Sequence, residues 1–251
     1  MSVSIKSKRE IEIMREAGKI LGTVMRDLSK EVKAGMSTYT LDKIGEEMIR
    51  SYGCIPSCKG YEGYPAAFCI SVNEAIVHSI PSKKIILKEG DIVSLDACLE
   101  YKGYQADAAR TVGVGQISKE AAQLIEVTKQ SFFEGVKYAK EVCHLHEISN
   151  AIAAYNESYG YGVIRELVGH GIGAEMHEDP PIPNFTQQRR GIKLYEGMTL
   201  AIEPMVSAGG YQVEWLDDDW TAVTADRSLA AHYENTVLVT KNGPEILTLV
   251  E

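Results

Sequence analysis

Hydrophobic residues recur at every third or fourth position in four segments of the chain, which is the spacing of amphipathic helices. The first such segment covers residues 14–28 and follows Ser7-Lys-Arg-Glu10, a capping-box sequence that marks the start of a helix. The second covers residues 41–49. The same spacing predicts two further helices, over about residues 118–139 and 146–158.

Apolar runs bounded by turn-forming residues lie between and after these helices, and they predict strands. The predicted strands cover about residues 66–72, 91–99, 104–112, 162–170, 198–206, 211–216, 220–224 and 233–240. Each pair of helices therefore precedes a group of strands. The order helix, helix, strands occurs twice along the chain.

Short sequence matches recur at a spacing of 107 residues. The matching segments are 89–96 with 196–203, 103–107 with 210–214, and 51–53 with 158–160. Coincident turn and strand chemistry is one explanation for these matches, but three at a single spacing favour an internal duplication. We therefore predict one pseudo-symmetric domain over residues 1–251, built from halves of about 8–115 and 116–251 without a low-complexity linker between them.

The composition excludes several classes of protein. The hydrophobic fraction of 45% and the charged fraction of 24% are ordinary for a globular protein. A net charge of −9 argues against direct nucleic-acid binding, and no apolar run approaches the ~18 residues of a membrane helix. The N-terminus has no apolar signal-peptide stretch, and five irregularly spaced cysteines fit reduced thiols. These features predict a soluble cytoplasmic protein without membrane contact.

Two carboxylates, Asp96 and Glu203, stand inside segments that are otherwise typical of buried strands. Burying an unpaired carboxylate is very costly, so each needs a cation, a hydrogen-bond network or a shifted pKa. The duplication gives Asp96 and Glu203 equivalent positions, and we expect them to converge. A hairpin turn between residues 101 and 102 would place Asp107 directly opposite Asp96, where like charges repel unless a positive group lies between them.

That positive group could be a basic side chain or a metal ion. Arg110 is the nearest basic residue, but one guanidinium cannot serve every acid. A hard divalent ion such as Mg, Mn, Fe or Co suits carboxylates better. The residues thus favour a metal site, with a buried ion-pair network as the alternative.

Histidines and a further acid add to this hypothesis. His170 and His177 lie in one segment punctuated by glycine and proline, and His78 ends the apolar run of residues 75–77. The duplication nominates Glu214, as the partner of Asp107, for a further acidic ligand. Glu234 is an equal candidate because it opens an otherwise apolar strand, and the residues alone do not choose between them.

The motifs of the chain form a series in order, without large insertions. They are Val72-Asn-Glu74, His78, Gly90-Asp-Ile-Val-Ser-Leu-Asp96, Asp107, Gly169-His-Gly-Ile-Gly173, His177-Glu-Asp-Pro180, Met198-Thr-Leu-Ala-Ile-Glu-Pro-Met205 and Tyr233-Glu-Asn-Thr236. This series resembles the type I methionine aminopeptidases, the short members of the pita-bread metallopeptidases, over nearly the whole chain. The resemblance implies an α+β pita-bread fold, with pseudo-two-fold helix–helix–strand halves around a curved antiparallel sheet.

The resemblance also implies a site. It assigns two divalent ions, Co, Mn, Fe or Zn, to the ligands Asp96, Asp107, His170, Glu203 and Glu234, and so favours Glu234 over Glu214. Glu203 would also be the general base, while His177 would polarise the scissile carbonyl and His78 would hydrogen-bond the scissile amide nitrogen. The implied pocket for a methionine side chain is lined by Cys58, Tyr61, Tyr64, Cys69, Met176 and Trp220.

The implied activity is removal of the initiator methionine from nascent proteins whose second residue is small. The expected partners are nascent N-termini, with the ribosome as a further candidate, and the expected state is a monomer. Three positions depart from the usual family pattern: Met176 replaces an aromatic, His232 a glutamine and Ser79 a glycine. A proline-specific pita-bread peptidase and a non-catalytic binding protein of that fold are the alternative functions.

Overall fold

The computed structural model describes residues 3–250, and its four α-helices come in two pairs. The helices are α1 (Lys8–Glu31), α2 (Thr38–Ser51), α3 (Lys119–Val136) and α4 (Leu145–Ser158). The capping box at Ser7 is present, because the Ser7 side chain and the Glu10 side chain each accept a backbone N–H of the other residue. No helix in residues 3–250 combines the length and the apolar character needed to cross a bilayer.

The predicted end of the third helix is wrong by three residues. Helix α3 ends at Val136, whereas the apolar spacing predicted a helix to residue 139. The N–H groups of Tyr138 and Ala139 donate to carbonyls three residues earlier, at Gly135 and Val136. Those bonds form turns rather than a further helical turn, and a hydrophobic pattern does not distinguish the two.

The strands of the described range follow each pair of helices as the sequence predicted. They are β1 (Ile55–Pro56), β2 (Cys69–Val72), β3 (Ala75–Val77), β4 (Ile92–Tyr101), β5 (Tyr104–Gly113), β6 (Gly162–Val163), β7 (Gly169–Gly171), β8 (Glu178–Ile182), β9 (Thr199–Ile202), β10 (Met205–Ser207), β11 (Val213–Trp215), β12 (Ala222–Thr224), β13 (Ala230–His232), β14 (Glu234–Thr240) and β15 (Gly243–Ile246). The single strand predicted over residues 162–170 is wrong, because the chain forms two short strands there, β6 and β7, in different sheets. The single strand predicted over residues 198–206 is also wrong, because the chain leaves the ladder at Glu203 and Pro204 between β9 and β10. Proline has no N–H to donate to a ladder.

A nine-stranded antiparallel sheet joins strands from both halves of the chain. Its order is β1-β4-β5-β14-β9-β7-β8, with β2 also paired to β4 and β15 to β14. Two smaller sheets have the orders β13-β10-β6 and β11-β12-β3. The large sheet is the element that carries both Asp96 on β4 and His170 on β7.

The turn of the β4–β5 hairpin lies one residue later than the sequence analysis assumed. Tyr101 pairs with Tyr104, and the intervening Lys102 and Gly103 have φ values of 51° and 82°. Two consecutive left-handed residues are typical of the tight hairpin turn that matches the twist of the strands. Asp107 therefore lies opposite Cys98, and it is a diagonal neighbour of Asp96 on the same face rather than directly opposite.

The spacing of 107 residues recurs in the structure. Helices α2 and α4 have the same length, and both their first and their last residues are 107 apart. The pairing of β1 with β4, Ile55 with Glu100, reappears as that of β6 with β10, Gly162 with Ser207. The duplication therefore predicts three-dimensional equivalences, down to the register of short strands.

The second half departs from this spacing after β10. On β4 and β5, Leu95 pairs with Arg110, and the equivalent residue of β9, Ile202, pairs with Asn235 of β14. The counterpart of β5 is therefore β14, at a spacing of 125, and the β11–β12 hairpin with its connections is inserted between. The assignment of Glu214 as the partner of Asp107 is wrong for this reason.

Side-chain alternation along β4 gives the sheet a helix-facing side and an open side. Val93, Leu95 and Leu99 are buried in one hydrophobic cluster with residues of α1 and α2. In the second half, Leu200 and Val237 pack with residues of α3 and α4 in a separate cluster. Because neighbouring side chains of a strand point to opposite faces, Asp96 lies on the face away from the helices.

The N-cap of α3 provides a test of this local structure. The Ser118 hydroxyl accepts the N–H of Ala121 at 3.1 Å, so Ser118→Ala leaves that donor without its partner. We expect a loss of about 1 kcal/mol in the free energy of unfolding, measured by urea denaturation. Ser118→Asp restores an acceptor and should recover most of the loss. Equal losses in the two variants would contradict the capping role.

Candidate metal centre

Five strands and their ends bring together the residues of the predicted metal site. Asp96 lies on β4, Asp107 on β5, His170 at the centre of β7 and Glu234 at the start of β14, while Glu203 follows the last residue of β9. All five line a single cavity of about 840 Å³. The positions that the sequence analysis named are thus adjacent in space, although they span 139 residues of the chain from first to last.

The His170 ring lies close to two of the carboxylates in this group. Its Nε2 atom lies 3.5 Å from an Oε1 oxygen of Glu203 and 4.0 Å from Oδ2 of Asp107. One ligand atom each of Asp107, His170 and Glu234 can be chosen so that all three lie within 4.8 Å of one another. These separations are those of donors that surround a common point.

The orientation of His170 is set by the strand around it. Its Nδ1 atom lies 2.9 Å from the carbonyl oxygen of Gly171, so Nδ1–H donates and the Nε2 lone pair faces the carboxylates. A Cβ atom at Gly171 would lie 2.2 Å from the Asp179 carbonyl oxygen, and one at Gly169 would lie 2.4 Å from that of Ala201. Glycine is therefore required on both sides of His170, because the neighbouring strands come so close.

The electrostatics of the group argue for a cation among the acids. Burial raises the pKa of Asp107 to about 6 and raises those of Asp96, Glu203 and Glu234 well above their ordinary values, and the neighbouring carboxylates add to the shifts of these three. Burial lowers the pKa of His170 to about 4, so this imidazole is neutral at pH 7. Four carboxylates and a neutral imidazole are a donor set that fits a divalent ion.

The alternative of an ion-pair network is not supported. The Arg110 guanidinium donates to the carbonyl oxygens of Ala109 and Glu234 and to the side-chain oxygen of Asn235. Within residues 3–250, the four acids form no salt bridge with lysine or arginine. Arg110 therefore hydrogen-bonds the backbone of β14 behind the site; its charge lowers the pKa of Glu234 only as the smallest contribution, against burial and three neighbouring carboxylates that raise it.

The residues predicted to form the methionine pocket line the same cavity. They are Cys58, Tyr61, Tyr64, Cys69, Met176 and Trp220. The ring centroids of Tyr64 and Trp220 are 5.0 Å apart in an edge-on contact. The Tyr64 hydroxyl donates to the carbonyl oxygens of Phe68 and Ser79, which fixes that ring in the wall. An apolar recess with aromatic and sulfur-containing walls therefore adjoins the carboxylates.

His78 and His177 also line the cavity. His78 has a φ of 60°, a left-handed conformation that is uncommon for residues other than glycine and that often occurs at functional sites. Burial, with a smaller contribution from His177, lowers the pKa of His78 to about 4, and burial lowers that of His177. The His177 ring packs edge-on against His170 at 4.4 Å between centroids. Two neutral imidazoles therefore stand beside the acids.

The structure places His232 next to the site. Its ring is 1% exposed, and Nε2 lies 3.7 Å from Oε2 of Glu203. Neither ring nitrogen has a hydrogen-bond partner in the described part of the chain. A buried imidazole, whose pKa burial lowers to about 3, therefore stands beside Glu203.

One buried lysine near the cavity was not among the residues predicted from the sequence. Lys6 is 6% exposed, and its ammonium lies 2.5 Å from Oε2 of Glu178, the residue after His177. The N–H of Lys6 also donates to the carbonyl oxygen of Gly197. This ion pair ties the segment before α1 to the strand that follows His177. A single lysine before a helix gives no sequence signal for such a contact.

Comparison with known proteins places this geometry in a family. Residues 12–241 match the model of metallopeptidase family M24. A methionine aminopeptidase of Clostridium acetobutylicum is 56% identical over 249 residues, which cover 99% of this chain and 100% of the relative. The crystal structure of methionine aminopeptidase from Thermotoga maritima matches with a TM-score of 0.97 and 43% identity, over 99% of this chain and 100% of that one.

A prolidase from Pyrococcus furiosus is also similar, with a TM-score of 0.78 and 26% identity, over 98% of this chain and 66% of that one. Buried carboxylates that converge with histidine on a sheet of this topology define a metallopeptidase. The chain belongs to metallopeptidase family M24 and, within it, groups with the methionine aminopeptidases. The predicted α+β pita-bread fold is confirmed, and the family implies the use of a divalent metal.

Proposed function

We propose that this chain removes the initiator methionine from nascent proteins whose second residue is small. The observation that carries the proposal is the adjacency of two features in one cavity. Four carboxylates and His170 converge on one side, and an apolar recess closed by Tyr64 and Trp220 adjoins them. A peptide whose terminal amine and first carbonyl meet the acids would extend its first side chain into that recess.

In this proposal two divalent ions would be held by Asp96, Asp107, His170, Glu203 and Glu234. The ions would be Co, Mn, Fe or Zn. When bound, they supply Lewis acidity that activates water at neutral pH. The raised pKa values of the acids support this assignment, because a nearby cation returns such groups to their charged form.

The remaining roles follow from what each side chain can donate or accept. Glu203, one edge of which lies against His170, would take the proton of the attacking water as general base. His177 would donate a hydrogen bond to the scissile carbonyl oxygen as negative charge develops there, a contribution of about 3–4 kcal/mol in comparable sites. His78 would hydrogen-bond the scissile amide nitrogen. The low pKa of His78 supports its acting as a neutral imidazole.

Selectivity for methionine would arise in the apolar recess. Methionine is unbranched, and its polarisable sulfur makes favourable contacts with aromatic rings. Tyr61, Tyr64 and Trp220 supply such rings, and Cys58, Cys69 and Met176 supply further sulfur-containing or apolar wall. Met176, which is 8% exposed, would leave this part of the wall more adaptable than an aromatic side chain.

We also propose that the chain acts as a single catalytic domain and as a monomer in the cytoplasm. The nine-stranded sheet joins strands of both halves, and every residue of the proposed site comes from one chain. The five cysteines are unpaired, which fits a reducing compartment. Nascent chains as substrates would bring the protein to the ribosome during synthesis.

The direct test is release of free methionine from short peptides. Purified chain, stripped with a chelator and then supplied with Mn²⁺ or Co²⁺, should release methionine from Met-Gly and Met-Ala peptides. It should act at least about tenfold more slowly on Met-Leu peptides and should not cleave Xaa-Pro dipeptides. No release with any divalent metal, from protein shown to be folded, would contradict the proposal. Preferential cleavage of Xaa-Pro would support the proline-specific alternative.

A further inference from the structure

The Tyr61 side chain lines the pocket and also forms a hydrogen bond with His177. Its hydroxyl oxygen lies 2.7 Å from Nδ1 of His177. The two rings meet edge-on, with 5.1 Å between their centroids and an angle of 66° between their planes. Within residues 3–250, Nε2 of His177 has no hydrogen-bond partner, so this hydroxyl provides the polar contact that orients the ring.

The direction of this hydrogen bond follows from the chemistry of the two groups. A phenol hydroxyl is a good donor, and the unprotonated nitrogen of a neutral imidazole is a good acceptor, whereas the phenol oxygen is a weaker acceptor. The hydroxyl therefore donates to Nδ1. A neutral imidazole carries one proton, which must then reside on Nε2.

The loop that carries Tyr61 is anchored, so the hydroxyl occupies a defined position. The ammonium of Lys59 lies 2.7 and 2.9 Å from the two carboxylate oxygens of Glu46, whose side chain is 10% exposed. Within the loop, the N–H of Gly60 donates to the carbonyl oxygen of Tyr64, and the N–H of Tyr64 donates to that of Tyr61. The salt bridge to α2 and these turns restrict the reach of the Tyr61 side chain.

We propose that Tyr61 is a positioning residue that keeps the His177 proton on Nε2, so that this edge of the ring presents an N–H donor to the substrate carbonyl. This inference rests on the proposed function, in which the His177 donor stabilises charge on that oxygen. Loss of the hydroxyl would leave the ring free to adopt the other tautomer or to rotate. The expected cost is a three- to tenfold lower kcat, roughly the effect of one net hydrogen bond.

The kinetic test uses Tyr61→Phe, which keeps the aromatic wall and removes only the hydroxyl. With a Met-Gly peptide, kcat should fall three- to tenfold while KM stays within about twofold of the original value. Tyr155→Phe is the matched control, because the Tyr155 hydroxyl lies on α4 outside the cavity and, within residues 3–250, its hydrogen bond is to the hydroxyl of Tyr159, at 3.5 Å. This control should keep the original kcat and KM. A rise in KM at constant kcat for Tyr61→Phe would contradict the positioning role and would leave Tyr61 only as part of the pocket wall.

The tautomer itself is read by ¹⁵N NMR of the zinc-loaded protein labelled at histidine, with His177→Gln to assign the signals. We expect a protonated Nε2 and an accepting Nδ1 at His177, and a mixture of tautomers in Tyr61→Phe. A protonated Nδ1 in the unmodified protein, or an unchanged tautomer in Tyr61→Phe, would overturn the inference. The NMR measurement does not require turnover. If methionine is not released but Nε2 of His177 is protonated, the result contradicts the proposed function and supports the positioning role of Tyr61.

Discussion

Replacement of Glu234 by glutamine is expected to abolish methionine release, with a loss of roughly 10³-fold or more in kcat/KM. Glu234 is 2% exposed and opens β14 opposite Ala109 of β5, within 4.8 Å of ligand atoms of Asp107 and His170. Glutamine keeps the volume of the side chain but removes its charge and one anionic oxygen. A metal centre held in part by this carboxylate would lose metal affinity, which titration calorimetry with Mn²⁺ measures alongside the activity.

Glu214→Gln is the matched control, since it makes the same chemical change at the residue that the internal repeat nominated. The Glu214 side chain is 52% exposed and pairs with Arg227 at 2.6 Å on the inserted hairpin. Because an exposed ion pair contributes little to the stability of the fold, loss of the pair with Arg227 should leave the activity and the metal affinity unchanged. The reverse outcome, an active Glu234→Gln and an inactive Glu214→Gln, would show that Glu214, the residue indicated by the repeat, is the acidic ligand.

The second large effect expected is a pH-dependent stabilisation of the fold by metal. In the metal-free chain burial raises the pKa of Asp107 to about 6, and it also raises those of Asp96, Glu203 and Glu234 well above their ordinary values. A carboxyl whose folded pKa exceeds its unfolded value stabilises the fold below the unfolded pKa, and this contribution is lost as the pH rises through the folded value. The free energy of unfolding of the metal-free chain should therefore decrease between about pH 4 and pH 7.

Added metal should reverse this loss. An ion that binds only the folded state at a thousand times its Kd stabilises that state by about 4 kcal/mol. The gain should be larger at pH 7.5 than at pH 5, because protons compete with the metal for the same oxygens. Urea denaturation with chelator or with Mn²⁺ at the two pH values measures both the loss of stability with rising pH and the gain on adding metal. Asp107→Ala should lose most of the metal gain, and a gain in this variant equal to that of the unmodified chain would remove Asp107 from the ligand set.

The helices and the repeat could be predicted because their determinants are local. The capping box at Ser7 and the apolar spacing of residues 14–28 specify α1 without reference to the rest of the chain. The repeat at 107 residues likewise predicted two halves of the same order, and the structure shows helices α2 and α4 of equal length at that spacing. The strand predicted over residues 198–206 was less accurate, since an apolar run does not show where the chain leaves a ladder.

The candidate site could be predicted in part for a related reason. A carboxylate inside an apolar strand, as at Asp96 and Glu203, is costly enough to require an explanation, so it is conspicuous from the residues alone. The choice between Glu214 and Glu234 was open because both stand in strand-like segments. In the structure they differ in surroundings, because Glu234 lines the cavity together with Asp96 and Asp107, whereas Glu214 is exposed and pairs with Arg227.

The sequence by itself determined the elements, the duplication and the chemical character of the site, because hydrophobic spacing, capping and the cost of buried charge act within short segments. Only the tertiary structure decided how those segments meet. The register of Asp107 opposite Cys98, the hydrogen bond between Tyr61 and His177, and the burial of Lys6 against Glu178 each join residues whose neighbours along the chain give no signal of the contact. Such contacts depend on strand register and on loop closure, which are set when the two halves pack together.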